Sequence, residues 1–332
     1  MEYRSGVIQV FEAGQPFAPD LPRGCRVAVK PNLTFPTPRP GVTTTPAVLR
    51  AVVERLIERS NQVFVVESDG GYGAWECERA LRGHGIYEMC AALGATAVNL
   101  SAAPRASLSV ARPGGHVAVP FPRMLLDSID AFVSLPVPKV HCMTGVSLAM
   151  KNQWGLIPDP MRLEHHHAFN EIVLEINRRL PAATAVVDGT YFLDENGPME
   201  GRPLHKDLTI AAGSIGECDR YLCALMGVDP MDVPHLRHAI AAGFVPARLD
   251  EVRFDAAQLQ RLSYRAVLNR TPRQRLVRTF FHSRRLTRLM FTSAFGRGLH
   301  RVYYRIVGKE GWQRTDKTGD EDRLTTHDNG LN

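Results

Sequence analysis

Residues 136–155 read PVPKVHCMTGVSLAMKNQWG, and they place Lys139, His141, Thr144, Lys151 and Asn152 inside an otherwise apolar stretch. Lysine and asparagine are poor choices for an apolar interior unless something pairs with them. The types and spacing therefore point to a site. A buried lysine can have a lowered pKa and act as an anion-binding, proton-transferring or covalent residue. His141 can ligate a metal or serve as acid or base. The alternative for this set is a buried lysine paired with a carboxylate and a histidine bonded to backbone.

Other residues add to this chemistry. The run His165, His166, His167 suits a metal such as zinc, iron, nickel or copper, with His141. Neighbours on a helix diverge by about 100°, so the three cannot all serve one ion. Near Arg162 the triplet suits an anion equally well. Asp69 and Asp188 follow strands and precede glycine, and Asp219 comes from a third element. Each reads singly as a turn aspartate; together with His141 they form a metal or acid/base set. Catalytic roles are expected of Lys151, His141, Asp188 and Asp219. Substrate binding is expected of Lys30, Asn32, Asn152, Arg162, Asp69 and Gly70. Metal ligation is expected of His141, His165 and His167. Gly70, Gly71 and Gly73 match neither GxGxxG nor a P-loop, so the nucleotide signal is weak.

The elements that position these residues alternate. Strands are expected at 26–30, 63–66, 96–100, 131–135, 183–187 and 208–212, and helices at 46–59, 75–81, 85–93, 167–180 and 218–226. Thr45 and Pro46 open the first helix, which carries an apolar stripe at Val48, Leu49, Val52, Val53 and Leu56. This alternation predicts an α/β fold: a mainly parallel sheet with crossover helices, in two halves near 25–125 and 126–250. Sites in such folds lie beyond the carboxyl ends of strands, where KPN, SDGG, KVH and DGT fall.

Bulk properties narrow the class. The chain has 332 residues, 44% hydrophobic and 22% charged, as a globular enzyme does. It has no apolar run of about 18 residues and no secretory pattern. Six scattered cysteines give no CxxC, zinc or iron–sulfur spacing, which suggests a reduced cytoplasmic protein without a cluster. Between Asp255 and Glu310 there are twelve arginines, one lysine and no acidic residue, so the remainder has 27 basic against 34 acidic residues.

The α/β domain is therefore expected over 1–255, a basic amphipathic helical extension over 256–309 and a polar disordered tail over 310–332. The extension suits packing on the body or on a second subunit, giving a homodimer. It also suits peripheral docking on an anionic membrane or a partner protein. Arginine with aromatics fits nucleic acid as well, but no recognition fold accompanies it.

The run of KPN (30–32), TTTP (43–46), ESDGG (67–71), LPVPKVH (135–141), LAMKNQWG (148–155), VVDG (186–189), NGPMEGRP (196–203), AAGSIGECD (211–219) and LMGVDP (225–230) resembles the domain-of-unknown-function family 362. It covers about residues 25–245. Many members of that family look fused to a ferredoxin-type module with cysteine clusters, which this chain lacks. The spacing His141, Lys151, His167 also resembles the nickel-pincer lactate racemase group. In that group the lysine holds the pincer cofactor and the later histidine ligates nickel, which implies an isomerase. The residues themselves point to a metal-dependent enzyme acting on a small carboxylate or phosphate. A noncatalytic ligand-binding or scaffold protein, docked by its basic segment, is the alternative from another class.

Overall fold

The computed structural model describes residues 7–12, 21, 23–59, 62–71 and 75–270, with isolated positions beyond. Eleven strands run β1 (Gln9–Glu12), β2 (Arg26–Pro31), β3 (Gln62–Glu67), β4 (Thr96–Asn99), β5 (Arg105–Arg112), β6 (Gly115–Pro122), β7 (Ala131–Leu135), β8 (Lys139–His141), β9 (Gly145–Ser147), β10 (Ala183–Asp194) and β11 (Arg202–Ala212). The α-helices are α1 (Pro46–Glu58), α2 (Cys77–Gly83), α3 (Ile86–Leu93), α4 (Met124–Asp127), α5 (Ala149–Asn152), α6 (Phe169–Arg179), α7 (Ile215–Leu225), α8 (Pro234–Ala241) and α9 (Ala256–Leu262).

A nine-stranded sheet has the main order β1-β11-β10-β7-β2-β3-β4, with β8 and β9 attached to β10. The run β10-β7-β2-β3-β4 is parallel, while β11 and β1 add antiparallel strands at one edge. The fold is α/β, mainly parallel, as the alternation predicts. The two expected halves share this sheet: β7 of the second lies beside β2 of the first, with Lys30 opposite Ser134.

Parallel strands covered on both faces should read as continuous apolar runs, as VFVV in β3 does. Alternate residues go to opposite faces. Val27, Val29, Val63 and Val65 pack with α1, α2 and α3, while Ala28, Val66, Phe132 and Val187 pack with α6 and α7. Each fully buried Val or Leu stabilises the fold by roughly 1.5–3 kcal/mol. Helix α1 follows Thr45 and Pro46 as expected and buries Leu49, Val52, Val53 and Leu56.

The chain runs from β2 outward to β3 and β4, then returns to place β7 on the other side of β2. Strand order reverses between β2 and β7, and crevices open at the carboxyl ends beside such reversals.

The first part of the expected extension packs on the body. Residues 256–270 belong to the body: Tyr264 and Ala266 N–H donate to the Leu225 and Met226 carbonyls at 2.9 and 2.8 Å, and Val267 N–H to Asp194 at 2.7 Å. Gly73, most of the basic segment and the 310–332 tail lie outside the described residues. Among the described residues no helix is long and apolar enough to cross a membrane.

Candidate functional site

Asn152 lies over the reversal point. Its Nδ2 donates to the Lys30 carbonyl at the end of β2 (3.0 Å) and to Ser134 Oγ near the end of β7 (3.2 Å). Ser134 is the one polar residue of β7 and is fully buried. It also reaches Gln153 Oε1 at 3.1 Å. One side chain thus clasps the two strands between which the sheet changes direction, and Lys151 is set beside it.

Helix α5 is only four residues long, so its start needs an outside acceptor. Asp219 of α7 accepts the N–H groups of Ala149 at 2.7 Å and Met150 at 3.1 Å. Burial raises its pKa to about 7, against the lowering effect of those two bonds. Asp219, expected as base or ligand, is therefore a positioning residue for α5.

Lys30 is buried and paired with Glu67 at 2.9 Å, and it reaches Asn152 Oδ1 at 3.5 Å. Glu67 further accepts the N–H groups of Leu33 (3.2 Å) and Ser68 (3.0 Å). Gly155 lets the backbone come this close, because a Cβ there would lie 3.1 Å from Lys30 Nζ. Sequence reasoning passed over Glu67 in ESDGG in favour of Asp69.

Lys139 is fully buried. Its ammonium donates to the Val42 carbonyl and to Asn32 Oδ1, the latter at 3.4 Å. Burial pushes its pKa well down, helped by the charges of Lys151 and Lys30, while Asp188 opposes. Lys151 is half-buried and makes no side-chain hydrogen bond or ion pair. Burial brings its pKa to about 7; Cys142 opposes that shift and Arg162 adds to it.

His141 lies in β8, and its Nδ1 accepts the Met143 N–H at 3.1 Å, so the proton of the neutral ring is on Nε2. Burial keeps this ring neutral, and the charges of Lys151, His166, Lys139 and His235 add to that effect. His141 and Lys151 thus share one electrostatic neighbourhood.

The histidine triplet lies in the last turn of a 3₁₀ segment, Arg162–Ala168, that leads into α6. His166 stacks on Phe169 (5.3 Å between ring centres) and meets Trp154 edge-on at 5.2 Å. His167 Nδ1 bonds the Glu164 carbonyl at 2.8 Å, and His165 is buried. His166, not His167 of the racemase-like spacing, is the triplet member whose charge acts on His141. His235, absent from the expected set, is buried on α8 with no partner for Nε2 and meets Phe169 edge-on at 5.6 Å. Burial brings its pKa to about 3, with Lys151 contributing.

Among the described residues no three or more His, Cys, Asp or Glu side chains gather as a metal would need. The oxygen donors are occupied elsewhere. Asp188 accepts the Thr45 N–H at 2.6 Å, ahead of α1, and the N–H and hydroxyl of Thr190 at 3.0 and 2.7 Å. Asp69 accepts the Cys77 N–H at 2.8 Å, ahead of α2. Both aspartates hold backbone. Gly70 packs so closely on Trp75 that a Cβ would lie 2.5 Å from the indole, which gives it a packing reason to be glycine.

Of the expected residues, Lys30 reaches Asn152 at 3.5 Å, Asn32 accepts from Lys139 at 3.4 Å, and Lys151 acts electrostatically on His141. Arg162 is buried, its Nη1 held by Ser68 Oγ at 3.3 Å and the Ile157 carbonyl at 3.1 Å. Its charge acts on both Lys30 and Lys151.

Comparison with known proteins gives three likenesses. A solved structure of a Thermotoga maritima protein aligns with 58% of this chain at 13% identity and a TM-score of 0.35; the chain spans about half (52%) of that protein. A thylakoid-associated protein, sll1697, of Synechocystis sp. is 25% identical over 234 residues, covering 67% of this chain and 70% of the relative. The family described as a domain of unknown function, DUF362, matches residues 27–224, which include every strand from β3 to β11 and the whole α5 segment. The chain belongs to the DUF362 family.

Proposed function

We propose that this chain is an enzyme acting on a small anion, a carboxylate or a phosphate, bound beyond the carboxyl ends of β2 and β7. The observation that carries this reading is an imbalance of buried charge. Lys30, Lys139, Lys151 and Arg162 lie close enough to depress one another's pKa values, and of the four only Lys30 has an ion-paired carboxylate. Unpaired cations in a protein interior cost stability unless a ligand supplies the missing charge. Lys151 is the group assigned to proton transfer or covalent attack. With a pKa of about 7 it is half neutral at neutral pH, the poise a base or amine nucleophile needs. Neutral His141 offers its Nε2–H to an oxygen of the substrate.

The test is anion binding across pH. Affinity for inorganic phosphate or a small carboxylate should fall as pH rises through about 7, as Lys151 loses its proton. Lys151→Met should remove that pH dependence. Unchanged affinity and pH profile in the variant would assign Lys151 to packing.

A second reading concerns location. The basic stretch over 256–309 and a thylakoid-associated relative both support peripheral association with an anionic membrane. Sedimentation with anionic liposomes should decrease as salt rises. No sedimentation at low salt would reject this reading.

A further inference from the structure

Arg162 is only 7% exposed, yet it forms no ion pair. Its nearest acidic neighbours are committed elsewhere: Glu67 to Lys30, Asp69 to the Cys77 N–H, and Asp159 to the Met161 N–H at 2.8 Å. Both hydrogen bonds of the guanidinium leave from Nη1, to Ser68 and Ile157. These bonds fix the plane of the group and leave the Nε–Nη2 edge without an acceptor. That edge presents two parallel N–H groups at the spacing of two oxygens of one carboxylate or phosphate.

Gly71 lies against this end of the guanidinium, mainly over its face. A Cβ built there would lie 3.8 Å from Nε, 3.9 Å from Nη2 and 4.0 Å from Cζ, the nearest atoms among the described residues beyond its chain neighbours. The backbone of Gly71 is not in the left-handed region, so its conformation does not call for glycine. A side chain at position 71 would lie over this end of the guanidinium and crowd an anion seated on the fork.

We propose that the Nε–Nη2 edge of Arg162 is the two-point seat of the substrate's oxyanion, and that Gly71 is bare to leave that seat open. This inference rests on the anion reading above and adds to it the group that holds the anion. Arg162 anchors the oxyanion, and Lys151 faces the reacting part of the same molecule. The substrate class is then a small acid whose anionic group offers two oxygens to one guanidinium.

The test uses the full chain and calorimetric titration with inorganic phosphate, acetate and malonate. Gly71→Val should bind the preferred anion at least tenfold more weakly with an unchanged melting temperature, since its Cβ meets only ordinary contacts. Arg162→Lys keeps the charge and loses the fork, and should also lose at least tenfold. The preferred probe identifies the oxyanion as carboxylate or phosphate. If Gly71→Val, folded, binds as the wild type does while Lys151→Met does not, the fork is wrong and the lysine reading stands. If Gly71→Val loses binding while Lys151→Met keeps it, the fork stands and the lysine reading falls. A wild-type protein that binds none of the three at millimolar concentration overturns both.

Discussion

Asp219 accepts the backbone N–H of Ala149 at 2.7 Å, although 70 residues separate them. Helix α7 thereby holds the start of the short helix that carries Lys151 and Asn152. Asp219→Ala should leave two buried N–H groups without acceptors, at about 1–3 kcal/mol each, partly offset by removing a buried carboxylate. Urea unfolding should show a net loss of about 2 kcal/mol, and the ionisation of Lys151 should move back toward that of a free lysine. An unmoved Lys151 would show that α5 is placed without this cap.

The carboxyl of Asp219 has a folded pKa of about 7, above its ordinary 3.8. Its contribution to stability is therefore fully present at low pH and lost as pH rises through about 7. The stability difference between wild type and Asp219→Asn should fall between pH 5 and pH 8, on the order of 1–3 kcal/mol. A flat difference would contradict the buried, protonated carboxyl.

Lys151 shifts the other way. Its folded pKa of about 7 is below the ordinary 10.5, so between those values the unfolded chain binds more protons. Wild-type stability should gain from this group as pH rises from about 7 to 10. Lys151→Met should be more stable than wild type at pH 6, by a few kcal/mol, with the advantage shrinking toward pH 10. Denaturant midpoints at both pH values decide it. A variant less stable at pH 6 would place a compensating anion or hydrogen bond at Lys151.

The Lys30–Glu67 pair makes the opposite case, a buried cation with its partner. Glu67→Gln removes the charge from a carboxylate that also accepts two backbone N–H groups, and should cost about 3–5 kcal/mol. The double variant Lys30→Met/Glu67→Gln should lose less than the sum of the singles, because it strands no charge. Strict additivity would show that the two groups act independently.

Truncation separates body from segment. Ending the chain after Arg270 keeps the bonds of Tyr264, Ala266 and Val267 to the body, and the fold should survive. Ending it after Asp255 removes them together with α9 and should lower the melting temperature by several degrees or more. Equal stability of the two forms would make 256–270 dispensable.

Much of the frame was legible because local rules agreed with the fold. Thr45–Pro46 with its apolar stripe became α1, and VFVV became a doubly covered strand. The hairpin of β5 and β6 was missed, although Leu108, Val110, Val117 and Val119 alternate around Gly114–Gly115. Strand β10 was cut short at the Asp188–Gly189 pair, where a turn is the ordinary reading. The strand instead passes through with a register shift between Gly189 and Tyr191. In the site, Lys151 and Asn152 stood out because polar residues in an apolar run need a reason. Asp69, Asp188 and Asp219 looked the same as catalytic carboxylates, since a sequence does not reveal which backbone N–H stands opposite. His235 was invisible because it lies on a separate helix, beyond the motif-rich stretch.

Arg270 donates from Nε to the Cys142 carbonyl at 2.8 Å, next to His141. The cationic stretch that follows therefore starts beside His141. A chain spans at most about 3.3–3.6 Å per residue, so the arginines that come soon after are leashed to that histidine.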